Sequence, residues 1–356
     1  MSASIRKNEP AMNRREFIKT AAAGAAGFAL LGLPSGRSDA AEKYPHWGKV
    51  VVIRDDSATQ GPNVNGQVVQ SMLDEAIQTF TKGGGWPSLI PSYKSGETVA
   101  IKVNCQVPLV STQWKVVRAI VNGLMGMGVP QNHIVVWDAE AESMKYSSMF
   151  WLTMAFTGLR LTTTDKLSDP FDRSKSIDIQ GNTACLSRIL TDADHLINVP
   201  VLKNHWEAGI TFALKNHVGS AGENMKDRQK IFHLPPEEGN RWHKIAGRGQ
   251  PKAEAIALVN TAPDIKNKTR LIVGDALFGV YTRGPVGEPE FAYNGLIVGT
   301  DPVATDHQAR LIIENERRKN NMPVVPSLHI EQAIKLGLGA PLDEMQVIPV
   351  TRTQKG

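Results

Sequence analysis

Apolar positions along this chain follow two alternating patterns. Lys49–Asp55 (KVVVIRD), Thr98–Val103 (TVAIKV), His133–Asp138 (HIVVWD), Arg270–Asp275 (RLIVGD) and Leu296–Gly299 (LIVG) are short, nearly continuous apolar runs. Such runs read as strands buried on both faces. Between them the period changes. Val68, Val69, Met72, Leu73, Ala76, Ile77 and Phe80 recur at helical spacing and predict a helix over 66–81 that stops at Gly83-Gly84-Gly85. A second helix is expected over 113–127, with Trp114, Val117, Ile120, Val121 and Leu124 on its apolar face and Ser111 or Thr112 as its cap.

The middle of the chain is less regular. Thr157–Thr163 reads as a short strand and Thr183–Leu190 as a short helix. Asp194–Lys203 (DHLINVPVLK) is a strand that Pro200 bends or ends, and Gly209–His217 carries a helical pattern. A helix over 302–318 begins with Pro302 in its first turn, behind Asp301 as an ordinary cap. Strands apolar on both faces that alternate with helices predict an α/β fold, a mostly parallel or mixed sheet covered by helices on both faces. Residues 220–252 are polar, rich in Gly and Pro, and aperiodic, the composition of a functional loop such as a lid.

The N-terminus stands apart from this pattern. Arg14-Arg15-Glu16-Phe17-Ile18-Lys19 precedes the mild apolar run Thr20–Leu33 and a small-residue site at Ser38-Asp39-Ala40. Basic, apolar and cleavable regions in that order describe a signal peptide over 1–40, and the paired arginines resemble the twin-arginine signal. The apolar run falls short of the roughly 20 residues that span a bilayer, so cleavage with no lasting membrane span is expected. Residues 41–356 then form a single α/β domain, periplasmic or otherwise exported, with the twin-arginine translocase as its partner in transit.

The leader also changes the charge. It holds six of the 40 Lys and Arg residues and three of the 35 acids, leaving 34 against 32. No dense basic run with interleaved aromatics remains, which argues against nucleic-acid binding. Two cysteines, Cys105 and Cys185, are too few to hold an iron–sulfur cluster alone. Whether they pair is left open by their spacing.

In an open α/β sheet, ligands bind beyond the carboxyl ends of the strands. Lys102 and Asn104 end one strand on a common face, and Asp138, followed by Glu140 and Glu142, ends the next. Lys203-Asn204-His205 ends a third, Asp275 a fourth, with Arg283-Gly284-Pro285 following. Past the Leu296 run come Asp301 and, one helical turn on, Asp306. The tripeptide Lys-Asn-His occurs a second time at 215–217, at a helix end, so the copies have different settings and are not a repeat. Lysines and amides suit an anionic ligand, and Asp and His suit a divalent metal. Each group also has a plainer role: Lys215 and His217 favour a helix C-terminus, and a buried Lys102 needs a partner, which Asp138 or Asp275 supplies.

VAIKVN (99–104), STQWKVVRAIVNGL (111–124), HLINVPVLKNHWEAGITFALKNHVG (195–219), VGDALFGVYTRGPVG (273–287) and GLIVGTDPVATDH (295–307) together resemble the family catalogued as domain of unknown function 362, in order across about 50–310. The resemblance implies an α/β fold and twin-arginine export. It points to Lys102, Asn104, Lys203, His205, Lys215, Asn216, Asp275 and Asp306. Some members carry a ferredoxin-like module, for which this chain lacks the cysteines.

The residues therefore predict an enzyme acting on a small anionic substrate. Lys102, Lys203 and His205 are the expected catalytic groups, with His205 as the proton-transfer candidate. Asn104, Lys215, Asn216 and Arg283 are expected to bind substrate, and Asp275 and Asp306 to hold a metal. The alternative is an accessory protein that holds a metal, cofactor or anion for a redox partner without turnover.

Overall fold

The computed structural model describes residues 46–222, 250–324 and 326–352. The predicted leader, and most of the polar stretch read as a lid, lie outside the described residues.

Ten strands form one mixed sheet. From one edge the order is Gln346–Arg352, Lys49–Asp55, Phe291–Gly299, Thr269–Val280, His195–Asn198, Val99–Lys102, Ile134–Asp138 and Arg160–Thr163. The last five of these run parallel to one another, whereas Phe291–Gly299 runs antiparallel to both strands beside it. The fold is thus α/β, as the apolar pattern predicts.

Alternation along each strand explains the two helical layers. Val50, Val52, Ala100, Val135 and Trp137 point to one apolar layer, and Val51, Ile53, Val99, Ile101, Ile134 and Val136 to the other. The helices Gly66–Phe80 and Trp114–Gly126 cover the second layer with Met72, Leu73, Ile77, Val117, Ile120 and Leu124. Pro302–Lys319 and Leu328–Lys335 cover the first, with Ile312, Ile313 and Ile330.

Pro200 divides one predicted strand into two. His195–Asn198 and Val201–His205 lie in succession along the same long strand, Thr269–Val280. At the break, Pro200 accepts through its carbonyl from Asp275 N–H at 2.8 Å. The second segment therefore passes beyond the ends of its neighbours and carries Lys203 and His205 over them.

Three local expectations are corrected. Thr183–Leu190 is mostly strand, not helix: Asn182–Ser187 pairs antiparallel with Phe171–Ile179, and only Arg188–Asp192 is helical. The hairpin turns on Gln180 and Gly181, both at positive φ (53° and 82°), which matches the twist of the strands it joins. Gly209–Thr211 is also strand, folded back on Lys203–His205, so the helix that follows is only Ala213–Asn216. At Gly209 a Cβ would lie 2.4 Å from the Pro326 carbonyl oxygen, which only glycine tolerates at that φ of 81°.

The third concerns the cap at residue 113. Neither Ser111 nor Thr112 caps that helix. The Gln113 N–H instead donates to Asp275 Oδ2 at 2.7 Å, and Trp114 N–H to Ser148 Oγ at 3.1 Å. Thr112 Oγ1 is used elsewhere, accepting from Asn104 N–H and donating to the Val199 carbonyl, both at 2.9 Å. It ties the ends of two parallel strands together. Asp275→Ala is expected to cost about 1–3 kcal/mol, because it strands a partly buried N–H. Asp275→Asn keeps an acceptor and most of that stability. Denaturant midpoints compare the two.

Candidate functional site

Lys102 is the last residue of its strand and almost fully buried. Burial of an ammonium is tolerated only when its protons are taken. Here Nζ donates to Asp138 Oδ1 at 2.7 Å, to the Val103 carbonyl at 2.7 Å and to Asn216 Oδ1 at 3.4 Å. Asp138 is equally engaged, accepting from Ala139 N–H at 2.7 Å and Cys105 N–H at 2.5 Å as well. Of the two partners open to Lys102 in the sequence, Asp138 is the one used. This buried ion pair closes the floor of a cavity.

Next to it runs a chain of amides. Lys203 Nζ donates to Asn104 Oδ1 at 2.9 Å, Asn104 Nδ2 to Asn216 Oδ1 at 3.0 Å, and Asn216 Nδ2 to Asn198 Oδ1 at 2.7 Å. Asn198 Nδ2 ends the chain on the Ala213 carbonyl at 3.0 Å. Its direction is imposed by its first member, since an amine that donates must meet an amide oxygen.

Lys203 differs from Lys102 in its partners. Its Nζ is as deeply buried, yet it meets Asn104 Oδ1 and the Val110 carbonyl, at 2.9 and 3.2 Å, and, among the described residues, no carboxylate within hydrogen-bond reach. Burial pushes its pKa down to about 7, helped by the charges of Lys215 and Lys102 and opposed by Asp138 and Cys105. A neutral amine carries two protons, and two acceptors take them. The lone pair is then left over.

His205 ends the same strand. Its Nδ1 accepts from the backbone N–H groups of Glu207 and Ala208, at 3.1 and 3.2 Å. With that lone pair engaged, the ring proton sits on Nε2, and the neutral ring acts as a donor. From the second tripeptide, Lys215 is half-buried and Asn216 buried. His217 is buried beside Ser220, with Nδ1 to Oγ at 3.1 Å. Burial, and then the charge of Lys102, lower its pKa to about 3.

These groups meet in one half-open cavity of about 70 Å³, where Lys203 and His205 of the first Lys-Asn-His face Lys215 and Asn216 of the second. Lys102, Asn104 and Asp138 complete its polar wall. The two tripeptides are two sides of one pocket.

Three expected site residues stand elsewhere. Arg283 has a side chain 72% exposed, 3.6 Å from Glu290, and does not line the cavity. Its neighbours do bear on the site: Asn204 Oδ1 accepts from Gly284 N–H at 2.7 Å and holds the loop that brings Pro285 to the rim. A Cβ on Gly284 would lie 2.0 Å from the Asn204 carbonyl oxygen, so this clamp requires glycine. Asp275 accepts from Gln113 and Leu277 N–H groups, and burial raises its pKa to about 6. Asp306 is fully buried, 3.2 Å from His329 Nε2 and 3.3 Å from Leu214 N–H, so it anchors the Ala213–Asn216 helix from behind.

Neither aspartate lines the cavity, and among the described residues no group of three His, Cys, Asp or Glu side chains is placed to hold a metal. Cys105 and Cys185 are separate buried thiols, not a disulfide. Asn198 and Asn204 bear on the site although the sequence assigned them no role. Asn198 and Asn204 carried a signal of their own, a polar residue inside an apolar strand.

The family model described as domain of unknown function (DUF362) matches residues 99–310. No curated protein matches the chain. Among solved structures it is similar to a Thermotoga maritima protein, at 13% identity over 71% of this chain and 60% of that one, with a TM-score of 0.42. It is also similar to the lactate racemase apoprotein from Thermoanaerobacterium thermosaccharolyticum, at 12% identity over 74% of this chain and 56% of that one, with a TM-score of 0.45. The chain thus spans less than two thirds of the length of either solved structure.

Proposed function

This chain belongs to the DUF362 family, and from that premise we propose that it is an exported enzyme that binds a small anion and acts on it through Lys203. The observation that carries the reading is the amine itself. It is buried, has no carboxylate in reach among the described residues, and faces a cavity whose other lysines are Lys102 and Lys215. Lys102 is spent on Asp138, so Lys203 and Lys215 are the lysines of this wall that lie apart from that pair. Their field draws an anion and repels a bare cation.

Within the cavity the roles divide by the hydrogen bonds already made. Lys203, near neutrality at physiological pH, is the proton acceptor or nucleophile. His205 offers its Nε2 proton as a fixed hydrogen bond instead of shuttling it, because its other nitrogen is held by two amides. Lys215 and Asn216 bind the anion, and Lys102 with Asp138 positions the wall. Export through the twin-arginine translocase, on the strength of Arg14-Arg15, places this activity outside the cytoplasm.

Anion binding tests the reading. Below about pH 7 Lys203 is charged and donates a charge-assisted hydrogen bond, worth roughly 1.5–3 kcal/mol. Above it the charge is lost. Acetate is therefore expected to bind about tenfold or more tightly at pH 6 than at pH 9, by calorimetry or by the shift in Tm. In Lys203→Met that pH dependence disappears and binding weakens. Binding of equal strength in the variant, or no binding at either pH, contradicts it.

A further inference from the structure

We propose that the substrate is a short 2-oxo carboxylate and that Lys203 attacks its carbonyl carbon, forming a reversible iminium linkage. The proposal rests on the anion-binding reading above and adds to it the class of substrate and the bond that forms.

Three features of the cavity narrow the ligand. The first is size. At the ~10–15 Å³ that one water needs in such a cavity, about 70 Å³ holds on the order of five waters. Only a compact anion of a few heavy atoms fits its depth. The second is the pair of cationic walls: Lys215 suits a carboxylate while Lys203 meets whatever lies next to it. The third is the amine. Its two protons are directed at Asn104 Oδ1 and the Val110 carbonyl, which leaves the nitrogen lone pair as its remaining valence. A phosphate or an acetate fills the anion position but gives that lone pair no carbon to attack. A carbonyl adjacent to the carboxylate does.

Buried lysines next to another cation are the ones that work as amine nucleophiles, because desolvation and like charge both favour the neutral form. Lys203 has both influences. Lys102 and Lys215 raise the positive potential around it, and Asp138 and the Cys105 thiol oppose them.

The step balances as follows. The lone pair of neutral Lys203 forms an N–C bond while the C=O π pair moves to oxygen. One amine proton passes to that oxygen, giving a neutral carbinolamine. A solvent proton, entering by the half-open mouth, then converts the hydroxyl to departing water as the nitrogen lone pair forms C=N. The product is a protonated imine on Lys203 plus one water. The Nε2–H of His205 suits the carbonyl oxygen as a hydrogen-bond partner, and Lys215 offsets the carboxylate.

The test incubates the mature protein with pyruvate, or with glyoxylate, and cyanoborohydride, and maps the modified peptides by mass. One reduced adduct per chain is expected on Lys203, formed faster as pH rises through about 7 and slowed by acetate. Lys115, partly exposed with its ammonium on the Val64 carbonyl, stays unmodified and serves as the internal control. Adducts spread over surface lysines, or none on Lys203, overturn the proposal. If acetate still binds with its pH dependence in that case, the anion site stands and only the covalent step fails. If neither is seen, both fall.

Discussion

Lys102→Met is expected to lower the free energy of unfolding by about 3–5 kcal/mol, because it leaves the Asp138 carboxylate buried without its countercharge. Two backbone N–H groups, of Cys105 and Ala139, still donate to that carboxylate, which softens the loss but does not replace a cation. The comparison that isolates the cause is the double variant Lys102→Met with Asp138→Asn, which removes both charges and regains most of the loss. An exposed pair sets the scale from the other side. Arg318 lies 2.9 Å from Glu314 with its own side chain 58% exposed, and Arg318→Ala should cost only about 0.3–0.5 kcal/mol. Denaturant midpoints at constant m separate the three. A Lys102→Met protein as stable as the wild type would make the ammonium dispensable and remove the floor of the site as described.

The second large effect is a dependence on pH that one residue supplies. Lys203 has a folded pKa of about 7 against 10.5 for an ordinary lysine. Between those values the unfolded chain holds a proton that the folded chain has released, so stability rises with pH. The cost of burying the ammonium is fully present below about pH 7 and is gone above about 10.5. The slope approaches ~1.4 kcal/mol per pH unit for one whole proton. Other lysines and tyrosines titrate in the same range, so the informative quantity is the wild type minus Lys203→Met. That difference should climb between pH 7 and 10 and flatten outside it. Chemical unfolding at a series of pH values measures it directly. A flat difference means that Lys203 is an ordinary ammonium.

How much of this could be read from the residues depends on how local the cause was. The strands Lys49–Asp55, Val99–Lys102 and Ile134–Asp138 were legible because burial on both faces leaves an apolar run with no other explanation. The helix Gly66–Phe80 was legible from its stripe, and its Asn65 cap lies next to it in sequence. Strand direction was not legible: Thr269–Val280 and Phe291–Gly299 read as two apolar runs and are in fact an antiparallel hairpin. The edge strand Gln346–Arg352 was missed, since it alternates between exposed and half-buried positions and contains Pro349.

The site divides in the same way. Lys102, Asn104, Lys203 and His205 share one cavity because strand ends are brought to one edge by topology, and the short helix Ala213–Asn216 adds Lys215 and Asn216 to it. Asp275 occupies an equivalent place in its strand and was assigned with them. Its oxygen is taken by an amide 162 positions away in sequence, a contact that no local pattern announces. Asp306 and Arg283 failed for related reasons, the one held behind a helix and the other turned to solvent.

The central claim is that the Lys203 amine loses its charge near neutral pH, within an anion pocket. Titration of isotope-labelled lysine side chains by NMR observes that charge without passing through stability or turnover, and Lys203→Arg identifies the resonance. The account predicts one lysine with a midpoint near pH 7, as burial and Lys215 require, moving upward when acetate is added. Every lysine titrating above pH 10, with or without acetate, would contradict it.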